Sequence, residues 1–182
     1  TPVAFGERGA NPAAQLSFLI TEELANTVSL EDYCRSWQQF PPSLREKRAI
    51  IRKLAMVSRV LHENGVNHRD YYLCHFLRAD DAKEFFAGNR LFLIDLHRVQ
   101  LRSKTPRRWL VKDLAGLFYS AFDLPVTGRD LLCFLSVYRR HWLRDEACEL
   151  RDIVRRAVAL YRKDFGREPP AHILSIIKKV DH

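Results

Sequence analysis

No stretch of the 182-residue sequence approaches the roughly 18 to 20 consecutive apolar residues that a bilayer-spanning helix needs, which excludes a transmembrane helix. The opening segment, TPVAFGERGANPAAQ, has neither a basic region nor an apolar core of the secretory type, so no signal peptide is expected there. An initiator methionine is also missing, and Met56 is the sole methionine, so the chain is expected to be a fragment whose upstream part is absent. The four cysteines (Cys34, Cys74, Cys133 and Cys148) are far apart and form no CxxC pair. That spacing argues against a disulfide framework and a zinc site, and for free thiols in a reducing compartment. Internal repeats and low-complexity segments are absent as well.

What is present is enough apolar material, 47% of residues, to fill a real core, so disorder is not expected. The length suits one domain, or one domain and a piece of another. The formal charge of +8 and a pI near 9.6 select anionic partners: nucleotide, nucleic acid, anionic lipid or an acidic protein. Nucleic acid is disfavoured within this group, because no base-stacking or groove-reading motif accompanies the charge.

Along the chain, LSFLI at 16–20 predicts a strand, followed by the polar connector TEEL. Ser29 with Glu31 and Asp32 marks a helix start, and Pro41-Pro42 is expected to end that helix. Ser43 then caps a long helix reaching about Asn64, with Ile50, Leu54, Val57 and Leu61 on one stripe and Gly65 as its C-terminal stop. Two short antiparallel strands are expected around Phe76-Leu77 and at 91–95, joined by a long loop containing RADDAKEFFAGN. Helices should follow at KDLAGLFYSAF, GRDLLCFLSVYRRHWL and CELRDIVRRAVALYRKDF, with Gly166 and Pro169-Pro170 breaking the last before a final short helix.

The informative stretch is GVNHRDYYLCHFL at 65–77, where charged and imidazole side chains sit inside an apolar frame. A buried segment tolerates such charges only when they are paired or functional. If the hairpin folds back, Asp95 at the end of its second strand approaches His75 and Asp70. Two carboxylates and an imidazole would then converge, a set that suits phosphoryl transfer: one acid to take a hydroxyl proton and hard ligands for a magnesium ion. A zinc reading of Cys74, His75 and His97 fits no standard ligand spacing.

HRD after a long amphipathic helix, then a hairpin ending in ID, resembles the catalytic and metal-binding loops of protein-kinase-like folds. FLITEEL looks like the fifth strand and hinge of that fold. NHRDYYLCHFL, LIDLHRVQLR and PRRWLVKDLAGLFYSA are similar to the lipopolysaccharide core heptose(I) kinases, over about Thr1 to at least Phe122. The fold implied is α+β and mostly helical: the C-terminal lobe of a kinase-like fold, with residues 1–24 as hinge and remnant of the N-terminal lobe and 25–182 as the helical lobe. The resemblance implies Asp70 as catalytic base and Asp95 as ligand of the metal that bridges the ATP phosphates. His75 stands where protein kinases place a metal-binding Asn. It could ligate the ion, orient a water or fill the corner, since imidazole suits Mg2+ less well than oxygen does. Leu77 matches the floor under adenine, and Glu22 and Leu24 match the hinge. His68 is expected to brace the loop, and Asp113 resembles the helix-borne acid that anchors it. Tyr72 replaces a phosphate-contacting Lys of Ser/Thr kinases, and Leu96-His97 replace the flexible Phe-Gly pair. Arg98 is the candidate for the missing cation. No glycine-rich loop or strand Lys precedes residue 16, so the isolated chain is expected to be inactive.

HRVQLRSKTPRRWLVK carries Arg98, Arg102, Lys104, Arg107, Arg108 and Lys112 without an acid. Arg98, Arg102, Arg107 and Arg108 are the candidate substrate ligands, since arginine binds carboxylate and phosphate with paired hydrogen bonds. The activity that the resemblance implies is ATP-dependent phosphorylation of a heptose hydroxyl in the lipopolysaccharide inner core, at the cytoplasmic side and peripheral to the inner face of the inner membrane. The basic run also suits an anionic membrane surface. Two other readings remain: a kinase-like fold acting on another anionic acceptor, and a non-catalytic module that binds an acidic protein through Arg151, Arg155, Arg156 and Arg162, for which the resemblance allows acyl carrier protein as a candidate.

Overall fold

The computed structural model describes residues 2–9, 11, 14–79, 91–139 and 146–181. Residues 80–90 of the expected hairpin loop, and 140–145 including Trp142, lie outside them. The structure opens with an antiparallel hairpin, β1 (Pro2–Arg8) and β2 (Leu16–Thr21), registered from Pro2↔Thr21 to Arg8↔Leu16. Only β2 was expected. The hairpin leaves Val3, Phe5, Phe18 and Ile20 more than half exposed.

A three-stranded antiparallel sheet follows, in the order β3 (Thr27–Ser29), β5 (Phe76–Ala79), β6 (Leu91–Leu93). A two-residue pair, β4 (Val66–Asn67) and β7 (Gln100–Leu101), stands beside it. Neither β3 nor this pair was expected.

Helix α1 (Leu30–Arg35) is capped by Ser29, whose Oγ accepts the Asp32 N–H at 3.0 Å. It stops well before Pro41-Pro42, and a tighter turn (Ser36–Gln38) takes over, burying Trp37. Helix α2 (Leu44–Glu63) begins at the Ser43 cap and ends before Gly65, which has φ +75°. Glycine is required at 65 by contact as well as conformation. A Cβ there would lie 1.8 Å from the Arg102 carbonyl oxygen, and the Arg102 N–H donates to the Gly65 carbonyl at 3.0 Å.

The other helices are α3 (Arg107–Ser120), α4 (Gly128–Tyr138), α5 (Glu146–Phe165) and α6 (Ala171–Asp181). Thr127 and Asp130 form a reciprocal cap on α4, and Gly166, at φ +62°, ends α5. One apolar core joins α3, α5 and α6 through Leu114, Phe122, Val154, Tyr161 and Ile173. A second joins α1, α2 and β5 through Leu30, Ile50, Leu54, Tyr71 and Phe76. Burying each such side chain contributes about 1.5–3 kcal/mol. The polar stretch at 65–77 lies on this second core. No helix among the described residues is long and apolar enough to cross a membrane.

Candidate active site

The loop after β4 is fixed from below by Asp113 of α3, only 1% exposed. Its two carboxylate oxygens accept the N–H groups of His68 at 2.7 Å and Arg69 at 2.8 Å. Arg69 is thereby held at φ +77°. That left-handed conformation costs an arginine roughly 1–2 kcal/mol. Two charge-assisted bonds of about 1.5–3 kcal/mol each offset it. His68 is buried, and its Nε2–H donates to the Ile94 carbonyl at 2.9 Å, tying the loop to the segment after β6. The Tyr71 hydroxyl donates to Ser58 Oγ at 2.9 Å, and Ser58 in turn donates to the Leu54 carbonyl of α2. Burial of Tyr71 pushes its phenol well above the ordinary range. Gly116 of α3 lets the loop approach closely, since a Cβ there would meet the Tyr71 carbonyl at 3.0 Å and the Tyr72 ring at 3.1 Å. Charged residues are tolerated in this apolar frame because Tyr71, Leu73 and Phe76 carry the burial between them.

On this support the two acids face a common space. Asp70 Oδ1 accepts a 2.8 Å hydrogen bond from Arg98. The Asp70 carbonyl accepts the Nδ1–H of His75 at 2.7 Å. This bond leaves Nε2 of His75 turned to Asp95, 3.4 Å from its Oδ2. Asp95 is not in a strand as expected: it lies two residues past β6, at φ +63°, leading into the turn Leu96–Arg98. Its other oxygen accepts the Nδ1–H of His97. That hydrogen bond holds the Asp95 carboxyl below the usual carboxylate range, outweighing desolvation, and the nearby imidazoles act in the same direction as the bond.

Among the described residues no group of three or more His, Cys, Asp or Glu side chains forms a metal cluster, and His97, one member of the zinc reading, is turned to Asp95. Asp95 and His75 form an open pair. Such a pair fits an ion that draws its other ligands from phosphate oxygens and water, as Mg2+ does on nucleotides.

The remaining candidates fall in different places. Leu77 is half-buried in β5, between Ser29 and Phe92. Glu22 and Leu24 follow β2, and the Leu24 carbonyl accepts the Thr27 hydroxyl at 2.8 Å. Arg102 donates to Asn67 and Gln100, and Arg107 pairs with Asp152 of α5, away from the acids. Arg108 is exposed against Trp109. Sequence reasoning placed Lys112 in this basic run but did not group Arg69 with it, yet both lie at the Trp109 ring. Desolvation lowers the Lys112 pKa, with repulsion from Arg98 and Arg69 adding and Asp70 opposing. Arg69 and Trp109 are 40 residues apart, so only the tertiary fold joins them.

A helical lobe with a small three-stranded sheet and an HRD loop anchored on a following helix is the C-terminal lobe of a protein-kinase-like fold. Residues 1–138 match the family model for the lipopolysaccharide kinase (Kdo/WaaP) family, and the chain belongs to that family. It is 48% identical over 167 residues to the lipopolysaccharide core heptose(I) kinase WaaP of Pseudomonas aeruginosa, covering 90% of this chain and 62% of the relative. The WaaP of Escherichia coli is 47% identical over 143 residues, covering 79% and 54%. A solved structure, WaaP in complex with acyl carrier protein, superposes with a TM-score of 0.76 at 48% identity, over 88% of this chain and 68% of the other. The chain thus spans just over half of the length of the curated relatives it matches.

Proposed function

We propose that the protein transfers the γ-phosphoryl group of ATP to a heptose hydroxyl of the lipopolysaccharide inner core, once a glycine-rich loop and a strand lysine complete the nucleotide site. The observation that carries this reading is the His75 bridge. One ring bonds the backbone of Asp70 and faces the carboxylate of Asp95, so the two acids are placed by a single side chain.

Asp70 is the base. Arg98 holds its Oδ1, leaving Oδ2 to accept the hydroxyl proton as the sugar oxygen bonds to phosphorus and the bond to the ADP oxygen breaks. Asp95 and His75 are the residues that would hold a divalent ion, which when bound supplies positive charge to the β- and γ-phosphates. Leu77 and the backbone of 22–24 border the adenine. Asp113 and His68 act through the loop, as positioning residues.

The relative solved with acyl carrier protein supports an acidic carrier as partner here. The exposed Arg155 and Arg156 of α5 are the cations to meet it, since Arg162 already pairs with Glu168 at 2.8 Å. The same basic character supports a peripheral position at the inner face of the cytoplasmic membrane.

The test is transfer from labelled ATP to dephosphorylated core lipopolysaccharide by the protein with a complete nucleotide lobe. Asp70→Asn should lower the rate by about 10²–10⁴-fold with the fold unchanged. Equal transfer by both would remove Asp70 as base. Transfer by the 182-residue chain alone would overturn the need for the added lobe.

A further inference from the structure

We propose that the surface around Trp109 is a built anion subsite, taking a carboxylate or phosphate monoester of the acceptor beside the transfer site. The inference rests on the kinase reading for the identity of its ligand, and on geometry for its existence.

Four cations gather at one indole. The guanidinium carbons of Arg69, Arg102 and Arg108 lie 5.3, 5.7 and 5.2 Å from the Trp109 ring centre, and Lys112 Nζ lies 5.6 Å away. Attraction to the ring accounts for one or two of them, not for four that repel one another. Their neighbours Arg98 and Arg107 are matched by Asp70 and Asp152. Arg102 has neutral partners, Asn67 and Gln100. Arg69, Arg108 and Lys112 meet no carboxylate at ion-pair distance among the described residues, although Lys112 feels the field of Asp70.

Helix α3 opens at the same place. Pro106 supplies no side-chain cap, and the first turn holds no acid but has Arg107 and Arg108 instead. Asp152 meets Arg107, but Arg108 at the positive end of this 14-residue helix has no anion beside it among the described residues, which is unfavourable.

Three buried donors point to the same deficit. Nδ2 of Asn67, Nε1 of Trp109 and Nε of Arg69 have no acceptor among the described residues. Asn67 is fully buried, and its amide oxygen is already taken by Arg102, so its NH2 sits beside that guanidinium. What this cluster lacks is negative charge with several lone pairs, which a carboxylate or phosphate supplies and a neutral hydroxyl does not. Arg69 is joined by a peptide bond to Asp70, so an anion held here lies next to the hydroxyl that reacts.

The first arm follows the Trp109 indole N–H resonance of the isotope-labelled protein during addition of inorganic phosphate, and separately acetate. Ionic strength is constant, and nucleotide and divalent ions are absent. A saturable shift of Trp109, with Trp37 unmoved, is expected. In Arg108→Gln/Lys112→Gln, a pair that holds no part of the loop, binding should weaken roughly 10- to 100-fold. A drift without saturation, or the same affinity in the variant, would overturn the subsite. The second arm measures steady-state transfer by the complete protein. The variant should raise the acceptor KM by a similar factor and leave the ATP KM unchanged. An unchanged acceptor KM together with lost binding to phosphatidylglycerol vesicles would overturn the acceptor assignment in favour of membrane docking. If the unmodified protein transfers nothing to a heptose acceptor, the kinase reading and the acceptor assignment fall together, while the first arm, which needs no turnover, still decides the anion subsite.

Discussion

The loop at 65–75 and the hairpin β1–β2 treat their aromatic and aliphatic side chains in opposite ways. In the loop and at its exit, Tyr71, Leu73 and Phe76 are at most 4% exposed, and the Tyr71 hydroxyl and His68 are bonded to α2, α3 and the segment after β6. In the hairpin, Phe5 and Phe18 are 65% and 56% exposed, and the two strands bond to each other. Firm placement comes from several independent anchors, buried or partly buried. A backbone ladder alone fixes register, and leaves the side chains in water.

Removing an anchor should therefore have the largest effect. Asp113→Ala strands the N–H groups of His68 and Arg69 in a buried site and should cost about 3–5 kcal/mol in urea unfolding. A loss under about 1 kcal/mol would mean that the loop is held elsewhere. Gly65→Ala comes next. Its φ of +75° and the 1.8 Å approach to the Arg102 carbonyl should together cost roughly 2–4 kcal/mol in the same assay, and a neutral result would show that β7 can move away.

Cys34, in the core beneath the loop, gives a pH test. Burial pushes its thiol from 9.0 up to about 12, so the thiolate is disfavoured in the folded state. Its alkylation at pH 8 should be slower by roughly two to three orders of magnitude than in the unfolded chain. Its stabilising contribution is intact below 9.0 and fades as pH rises toward about 12. Rapid labelling of folded protein at pH 8 would show that the core opens. The smallest effect is expected in the hairpin: Phe18→Ser should change the unfolding free energy by no more than ~0.5 kcal/mol, measured on this chain. A larger loss would show that the hairpin is packed in solution.

The parts readable from sequence were those with local causes. Helix α2 was placed within a residue at each end, because Ser43 and Gly65 act on their own neighbourhoods. Helix α1 was drawn too long, since Pro41-Pro42 is a strong stop signal while the tighter turn at Ser36–Gln38 has none. β1, β3, β4 and β7 escaped because their identity lies in their partners: Glu7 opposite Ser17, Val28 opposite Arg78, Val66 opposite Leu101. The same division holds in the site. His68, Asp70 and His75 fall within one short stretch, and their grouping with Asp95 followed from a hairpin. That Asp95 would adopt a left-handed turn, and that Arg69 would reach Trp109, depended on packing that no local pattern encodes.

The left-handed conformation of Arg69 has a further consequence. It sends two consecutive side chains to different neighbours, Arg69 to the Trp109 ring and Asp70 to Arg98. Adjacent α-carbons are about 3.8 Å apart and joined by a rigid amide. The loop therefore works as a gauge: anything that touches both residues is measured for the distance between the two groups it presents, and a mismatch of length cannot be taken up by flexing the backbone while Asp113 grips it.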